Sequence, residues 1–240
     1  MPKENEDLSR VKEIGFMGKV TASLSHEIKN TLAIINESAG LMGDLFRKDA
    51  PEDWPSFSRF TDLLASIEEQ VQRSADIVKR LNQFAHSMDK SLAEVDLNET
   101  VRQTVLLAQR FATLHRVNLE TQLASKPLPI QSDPFRLLYV IFGFIERAIN
   151  FSPMEAQVLV ITEQSGAMFR VTVTDRGTFE ADNIRAPIAR SPSPEGEQGE
   201  SDLTILAQTI EALGGTIAVE QGDGGLNKVI LSFPSRVPVI

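Results

Sequence analysis

The 240-residue sequence has no cysteine, which excludes disulfides and thiolate metal sites and fits a reducing compartment. Positive charge is also short: 24 Lys and Arg stand against 33 Asp and Glu, a formal net charge of -9. With a pI near 5.0 the chain offers a poor surface to nucleic acid. The longest apolar run, Leu137 to Ile145, falls well below the roughly 20 residues of a membrane span. The N-terminus lacks a signal-peptide pattern. These absences lead to the expectation of a cytoplasmic protein that binds neither nucleic acid nor membrane. Internal repeats are absent as well. Of the three histidines, His86 and His115 read as ordinary helix-end residues, which leaves His26.

His26 stands in Ser25-His26-Glu27-Ile28-Lys29-Asn30, on a segment whose apolar residues recur with helical spacing. Val20, Leu24, Ile28, Thr31/Leu32, Ile35, Ala39, Met42 and Leu45/Phe46 form one stripe of a helix of period 3.6. At ~100° per residue His26 lies about 200° from Leu24 and Ile28. It therefore faces away from the stripe, with Asn30 one turn further along the same side. A carboxylate at Glu27 that accepts the proton of one ring nitrogen leaves the other as a nucleophile. A solvent-facing His-Glu pair without function is the alternative reading of the dipeptide alone. Lys29 could steady phosphoryl oxygens or simply solvate the helix face.

The run Ser25 to Leu32 resembles the phosphoacceptor box of the bacterial two-component sensor histidine kinases, with Thr31 where many members carry proline. The resemblance places this box on the first helix of a hairpin. A second amphipathic segment, about Phe57 to Met88, carries Leu63, Leu64, Ile67, Val71, Ala75, Val78, Leu81, Gln83 and Phe84. The intervening Asp49-Ala50-Pro51-Glu52-Asp53-Trp54-Pro55 has the composition of a helix break. Each stripe is too wide for a single partner helix, so the expectation is a homodimer built as a four-helix bundle.

From Val95-Asp96-Leu97-Asn98-Glu99 onward the chain resembles the kinase ATP-binding domain, so nearly all of it is covered. A helix from near Asn98 leads to a strand at Val117 to Leu123. Asp133-Pro134 reads as an N-cap with proline at the first helical position, opening a helix to about Asn150. Strands are expected at Gln157 to Glu163 and Met168 to Asp175. A loop rich in Pro, Ser, Gly and Glu spans 176 to 200, and Ser201 is a plausible cap for a last helix that stops at Gly214-Gly215. Two final strands flank Gly222-Asp223-Gly224-Gly225, read as a hairpin turn. The expected fold is α+β: a helical hairpin over residues 1 to 92, then a two-layer α/β sandwich over 96 to 240.

The departures from the family fall on residues that would handle ATP. Where the family places a magnesium-ligating asparagine in Asn-Ala-x-Lys, this chain has Arg147-Ala148-Ile149-Asn150. A guanidinium carries only donors and a fixed positive charge, so Arg147 cannot take that role. An earlier asparagine of the same box aligns with Gly143. Asp-x-Gly-x-Gly appears as Asp175-Arg176-Gly177-Thr178-Phe179, with the last glycine lost. Asp175 is either a surviving adenine contact or a strand-end cap for the following turn. The final glycine motif aligns with Gln198-Gly199-Glu200-Ser201-Asp202-Leu203. A carboxylate about 5 Å from a phosphate charge costs roughly 3 kcal/mol at an effective dielectric near 20. Glu200 and Asp202 would thus weaken phosphate binding, or they simply stabilise a helix N-terminus. An ion pair from Arg147 to Glu200 or Asp202 is a further expectation.

The leading expectation is a histidine phosphotransferase of a phosphorelay, passing a phosphoryl group between receiver-domain aspartates through His26, with Glu27 and Asn30 beside it. It resembles dimeric phosphotransferases that look like kinases without ATP. No cofactor is expected, and the resemblance implies that the partner receiver brings its own magnesium. Response-regulator receivers and a sensor kinase are the candidate partners. One alternative is a pseudokinase or response-regulator phosphatase, since Glu27-x-x-Asn30 has the spacing that sets an amide near an acyl phosphate. A second is an active kinase with a divergent nucleotide site, kept open by Asp175 and Gly177.

Overall fold

The structure, a computed structural model, describes residues 2–48, 57–87, 92–177, 197–221 and 225–235. The expected helix break at Asp49 to Pro55, most of the loop after Arg176 and the turn at Gly222-Asp223-Gly224 lie outside the described residues. The chain divides into two compact units. One is Ile14–His86, and the other joins Met1–Glu13 to Ser87–Ile240. The division therefore falls a few residues before the expected linker, and the first residues of the N-terminal helix group with the α/β unit instead of the hairpin. Helix α1 (Pro2–Lys48) has 47 residues and α2 (Phe57–His86) only 30, so α2 cannot cover all of its partner.

Within the hairpin the buried positions repeat every seven residues: Leu24, Thr31 and Ser38 on α1 against Gln70, Ile77 and Phe84 on α2. A seven-residue repeat keeps one seam of each helix on its neighbour. Phe16 meets Phe84 edge to face, with ring centroids 5.6 Å apart. The wide stripe expected on α2 divides into an inner and an outer row. Leu63, Ile67, Leu81 and Phe84 turn inward, whereas Leu64, Val71 and Val78 are 42, 54 and 45% exposed and Ala75 is exposed with them. On α1, Leu32 and Ala39 are likewise exposed while Val20, Leu24 and Thr31 are buried. The hairpin buries one stripe per helix and leaves a second apolar row outside.

The α/β unit runs β1 (Ala93–Asp96), α3 (Leu97–His115), β2 (Asn118–Gln122), β3 (Pro129–Ser132), α4 (Pro134–Phe151), β4 (Gln157–Ser165) and β5 (Met168–Asp175). Helix α5 (Glu197–Ala212), β6 (Thr216–Gln221) and β7 (Asn227–Pro234) complete it. Five strands form one sheet in the order β2-β4-β5-β7-β6, with β2 parallel to β4 and the other pairs antiparallel. The β1-β3 pair is a separate antiparallel ribbon that pattern reading missed, because four-residue strands carry too short an alternation. In β7 buried and half-buried residues alternate, as expected where helices cover one face of a sheet.

The cap expected at Asp133 is present, and Asp96 provides another at the start of α3. Asp133 accepts from the Arg136 amide at 3.0 Å with Pro134 at the first helical position, and Asp96 accepts from the amides of Asn98 and Leu128. Helix α5 begins at Glu197, four residues before the cap expected at Ser201, so the segment aligned with the glycine motif is helical. Gly143 lets α4 and α5 come close: a Cβ there would lie 2.7 Å from Leu206 Cδ1.

Candidate functional site

Two sets of residues carry the sequence-derived expectations, one in each unit. On α1 the segment around His26 is continuous helix. His26, Lys29 and Asn30 are exposed, Glu27 and Ile28 are half-buried, and Ser23, Leu24 and Thr31 are buried beneath them. The imidazole thus faces outward as its helical phase requires, with the Asn30 amide one turn on. Among the described hydrogen bonds and ion pairs none joins His26 to Glu27, so the orienting contact expected of that carboxylate is not made in this state. Five residues after His26, Thr31 Oγ1 lies 2.6 Å from Ser74 Oγ of α2, which ties this stretch of α1 to its partner helix.

The second set lies where β5, β7 and the end of α4 meet. Asp175 is 4% exposed, and its Oδ1 accepts from the Gly177 amide at 2.7 Å and from Asn227 Nδ2 at 3.0 Å. The same Asn227 amide group donates to the Gly177 carbonyl at 2.7 Å, and Asn227 faces Asp175 across the β5-β7 register. Because both of its partners are acceptors, the orientation of the Asn227 carboxamide is fixed by its surroundings. Gly177 is required by space: a Cβ would sit 2.5 Å from the Phe151 carbonyl oxygen. The turn after β5 is thus closed by Asp175, as a strand-end cap would close it.

Arg147 joins this cluster from α4. Its guanidinium carbon lies 4.6 Å from the centroid of the Phe151 ring, one turn along the helix. Burial pushes the Arg147 guanidinium below its ordinary value, and the Asp175 carboxylate pulls it back up. Its identified neighbours are therefore Phe151 and Asp175. The expected pairing with Glu200 or Asp202 lies outside the described side chains. Asn227 is the member that sequence reading missed. At the start of a strand an asparagine looks like a turn residue, and only the pairing of β5 with β7 brings it to Asp175.

An exposed histidine on a long helical hairpin is followed by an α/β domain with a five-stranded mixed sheet. No family model matches the chain. Among curated proteins it is 25% identical over 234 residues to the sensor histidine kinase ZraS of Escherichia coli O157:H7, covering 97% of this chain and 49% of that protein. It is 23% identical over 236 residues to the C4-dicarboxylate transport sensor protein DctS of Rhodobacter capsulatus, covering 96% and 35%. The chain spans about half the length of the first and about a third of the second. Among solved structures, the catalytic domain of histidine kinase ThkA superposes with a TM-score of 0.54 at 19% identity, over 62% of this chain and all of that one. ThkA in complex with the response regulator TrrA matches over 98% of this chain and 66% of that one, with a TM-score of 0.50 and 19% identity. Along nearly its whole length the chain is thus similar to two-component sensor histidine kinases.

Proposed function

We propose that this protein is a histidine phosphotransferase of a two-component phosphorelay, working in the cytoplasm as a homodimer and without ATP. His26 would take a phosphoryl group from the aspartyl phosphate of one response-regulator receiver and yield it to the aspartate of another. In the forward step a ring nitrogen lone pair forms the N–P bond while the P–O bond to the donor aspartate breaks and the carboxylate leaves. The proton on the other ring nitrogen passes to water, or to Glu27 once the receiver is docked. Such transfer depends on positioning and charge stabilisation more than on covalent chemistry from the helix itself. The magnesium belongs to the receiver. A response regulator is the partner in the ThkA–TrrA structure, which supports a receiver as the partner of this chain.

The observation that carries the nucleotide-free part is the Asp175 cluster. A guanidinium with no lone pair stands where the family places a magnesium ligand, and Oδ1 of the carboxylate that would accept from an adenine amino group already accepts from the Gly177 and Asn227 amides. Arg147 does not fit the place of a magnesium ligand, which supports a site without magnesium nucleotide. Calorimetric titration with Mg-ATP up to millimolar concentration tests this directly. The expected result is no saturable heat, and saturable binding would favour the active-kinase reading, which the sensor-kinase relatives keep open. Phosphoryl transfer from a phosphorylated receiver to His26 then separates a relay from a scaffold. The exposure of Asn30 one turn from His26 favours one second reading, a receiver phosphatase. Loss of dephosphorylation in Asn30→Ala, with His26→Ala tolerated, would select it.

A further inference from the structure

Three contacts surround two hydroxyl groups inside the hairpin. Thr31 Oγ1 lies 2.9 Å from the Ile28 carbonyl oxygen and 2.6 Å from Ser74 Oγ, and Ser74 Oγ lies 2.8 Å from the Gln70 carbonyl oxygen. Each hydroxyl has one proton to give. Three donations cannot be made with two protons. When Thr31 donates to Ile28, the contact between the hydroxyls must use the proton of Ser74, and the Gln70 carbonyl loses its extra donor. When Ser74 donates to Gln70, Thr31 must donate to Ser74, and the Ile28 carbonyl is released. The bond between the helices persists in both arrangements, and the two back-bonds exclude each other. Thr31 is 1% exposed, so water does not supply the missing proton on its side.

A side-chain hydroxyl bonded to a carbonyl of the preceding turn tilts that carbonyl and bends the helix. Ile28 is two residues from His26, in the turn that presents the imidazole. We infer that Thr31 and Ser74 are positioning residues for His26: the place of one shared proton sets whether α1 bends at the histidine or α2 bends at Gln70. This rests on His26 being the phosphoacceptor, whereas the coupled bend itself does not. The pair acts within a single hairpin, so one helix can report on the other without any change of register.

The two single variants separate this from an ordinary stabilising bond. In Ser74→Ala the Thr31 proton has only Ile28 to bond, and in Thr31→Val the Ser74 proton has only Gln70. The carbonyl 13C shift of Ile28 should move downfield in Ser74→Ala and upfield in Thr31→Val, with Gln70 showing the reverse. Phosphorylation of the full chain by phosphoramidate, followed as phosphohistidine by 31P NMR with His26→Ala as the blank, should change in opposite directions in the two variants. The expected change is about fivefold each way, the scale of one net hydrogen bond, and Thr31→Ser should restore the parent rate. Rates that fall together, as shared destabilisation would cause, overturn the proposal. So do opposite carbonyl shifts with equal rates. Opposite shifts with no phosphohistidine even in the parent protein would instead remove the phosphoacceptor reading on which the proposal stands.

Discussion

The hairpin and the α/β unit treat their polar groups in opposite ways. On the hairpin the chemically useful groups are outside: His26, Lys29 and Asn30 face solvent and none of their neighbours closes over them. In the α/β unit the corresponding groups are turned inward, with Asp175 and Asn227 buried and hydrogen-bonded to each other. A side chain that must meet an incoming partner cannot be committed to an internal one. A buried carboxylate must be committed, because an unpaired charge away from water is expensive. The same framework thus keeps an open surface in one unit and a closed cluster in the other.

The sharpest way to break this contrast is to remove the exposed group. His26→Ala should abolish phosphoryl acceptance completely while changing stability by less than about 0.5 kcal/mol, as for other exposed positions. Residual transfer measured with a phosphorylated receiver would show that the open surface is not where the chemistry occurs. Next in size is the outer apolar row of α2. Placing charge on it with Val71→Glu and Val78→Glu together should turn a dimer into a monomer, raising the dissociation constant by a factor on the order of 100 or more. Light scattering checks this, and a parent protein that is already monomeric at micromolar concentration would remove the homodimer from the proposal.

The Asp175 cluster of the α/β unit should respond through stability alone. Asp175→Ala leaves the Gly177 and Asn227 donors without an acceptor and should cost about 2–3 kcal/mol in denaturant unfolding of that unit. Gly177→Ala forces a methyl group against the Phe151 carbonyl and should cost about 1–3 kcal/mol. The smallest effect belongs to Phe151→Ala, which removes a half-exposed cation–π contact with Arg147 worth about 0.5–1 kcal/mol. None of the three should alter phosphorylation of His26 by a small donor. A matching loss of acceptance in these variants would mean that the contrast between the two units is false.

Much of the architecture was legible beforehand because it rests on local signals. Asp133-Pro134 announces a helix start wherever it is placed, and Phe169, Val171 and Val173 alternate as a strand must. The phase of His26 followed from its distance to Leu24 and Ile28. Less was legible where two segments had to meet. The apolar residues of α2 read as one broad stripe, since a helix seen alone gives no reason to separate Leu64, Val71 and Val78 from Leu63, Ile67 and Leu81. The loop-like composition around Gly199 hid the early start of α5. No local pattern linked Thr31 to Ser74, 43 residues away.

The sequence by itself determined the order of the elements and the outward face of the histidine, both of which depend on the types and spacing of near neighbours. Only the tertiary structure decided that Asn227 closes on Asp175, that Arg147 lies over Phe151 beside that carboxylate, and that two hydroxyls share one proton too few. The pairing of Asp175 with Asn227, the approach of Arg147 to Asp175 and the contact of Thr31 with Ser74 join residues far apart in the chain, and periodicity holds no information about them until the strands and helices have paired.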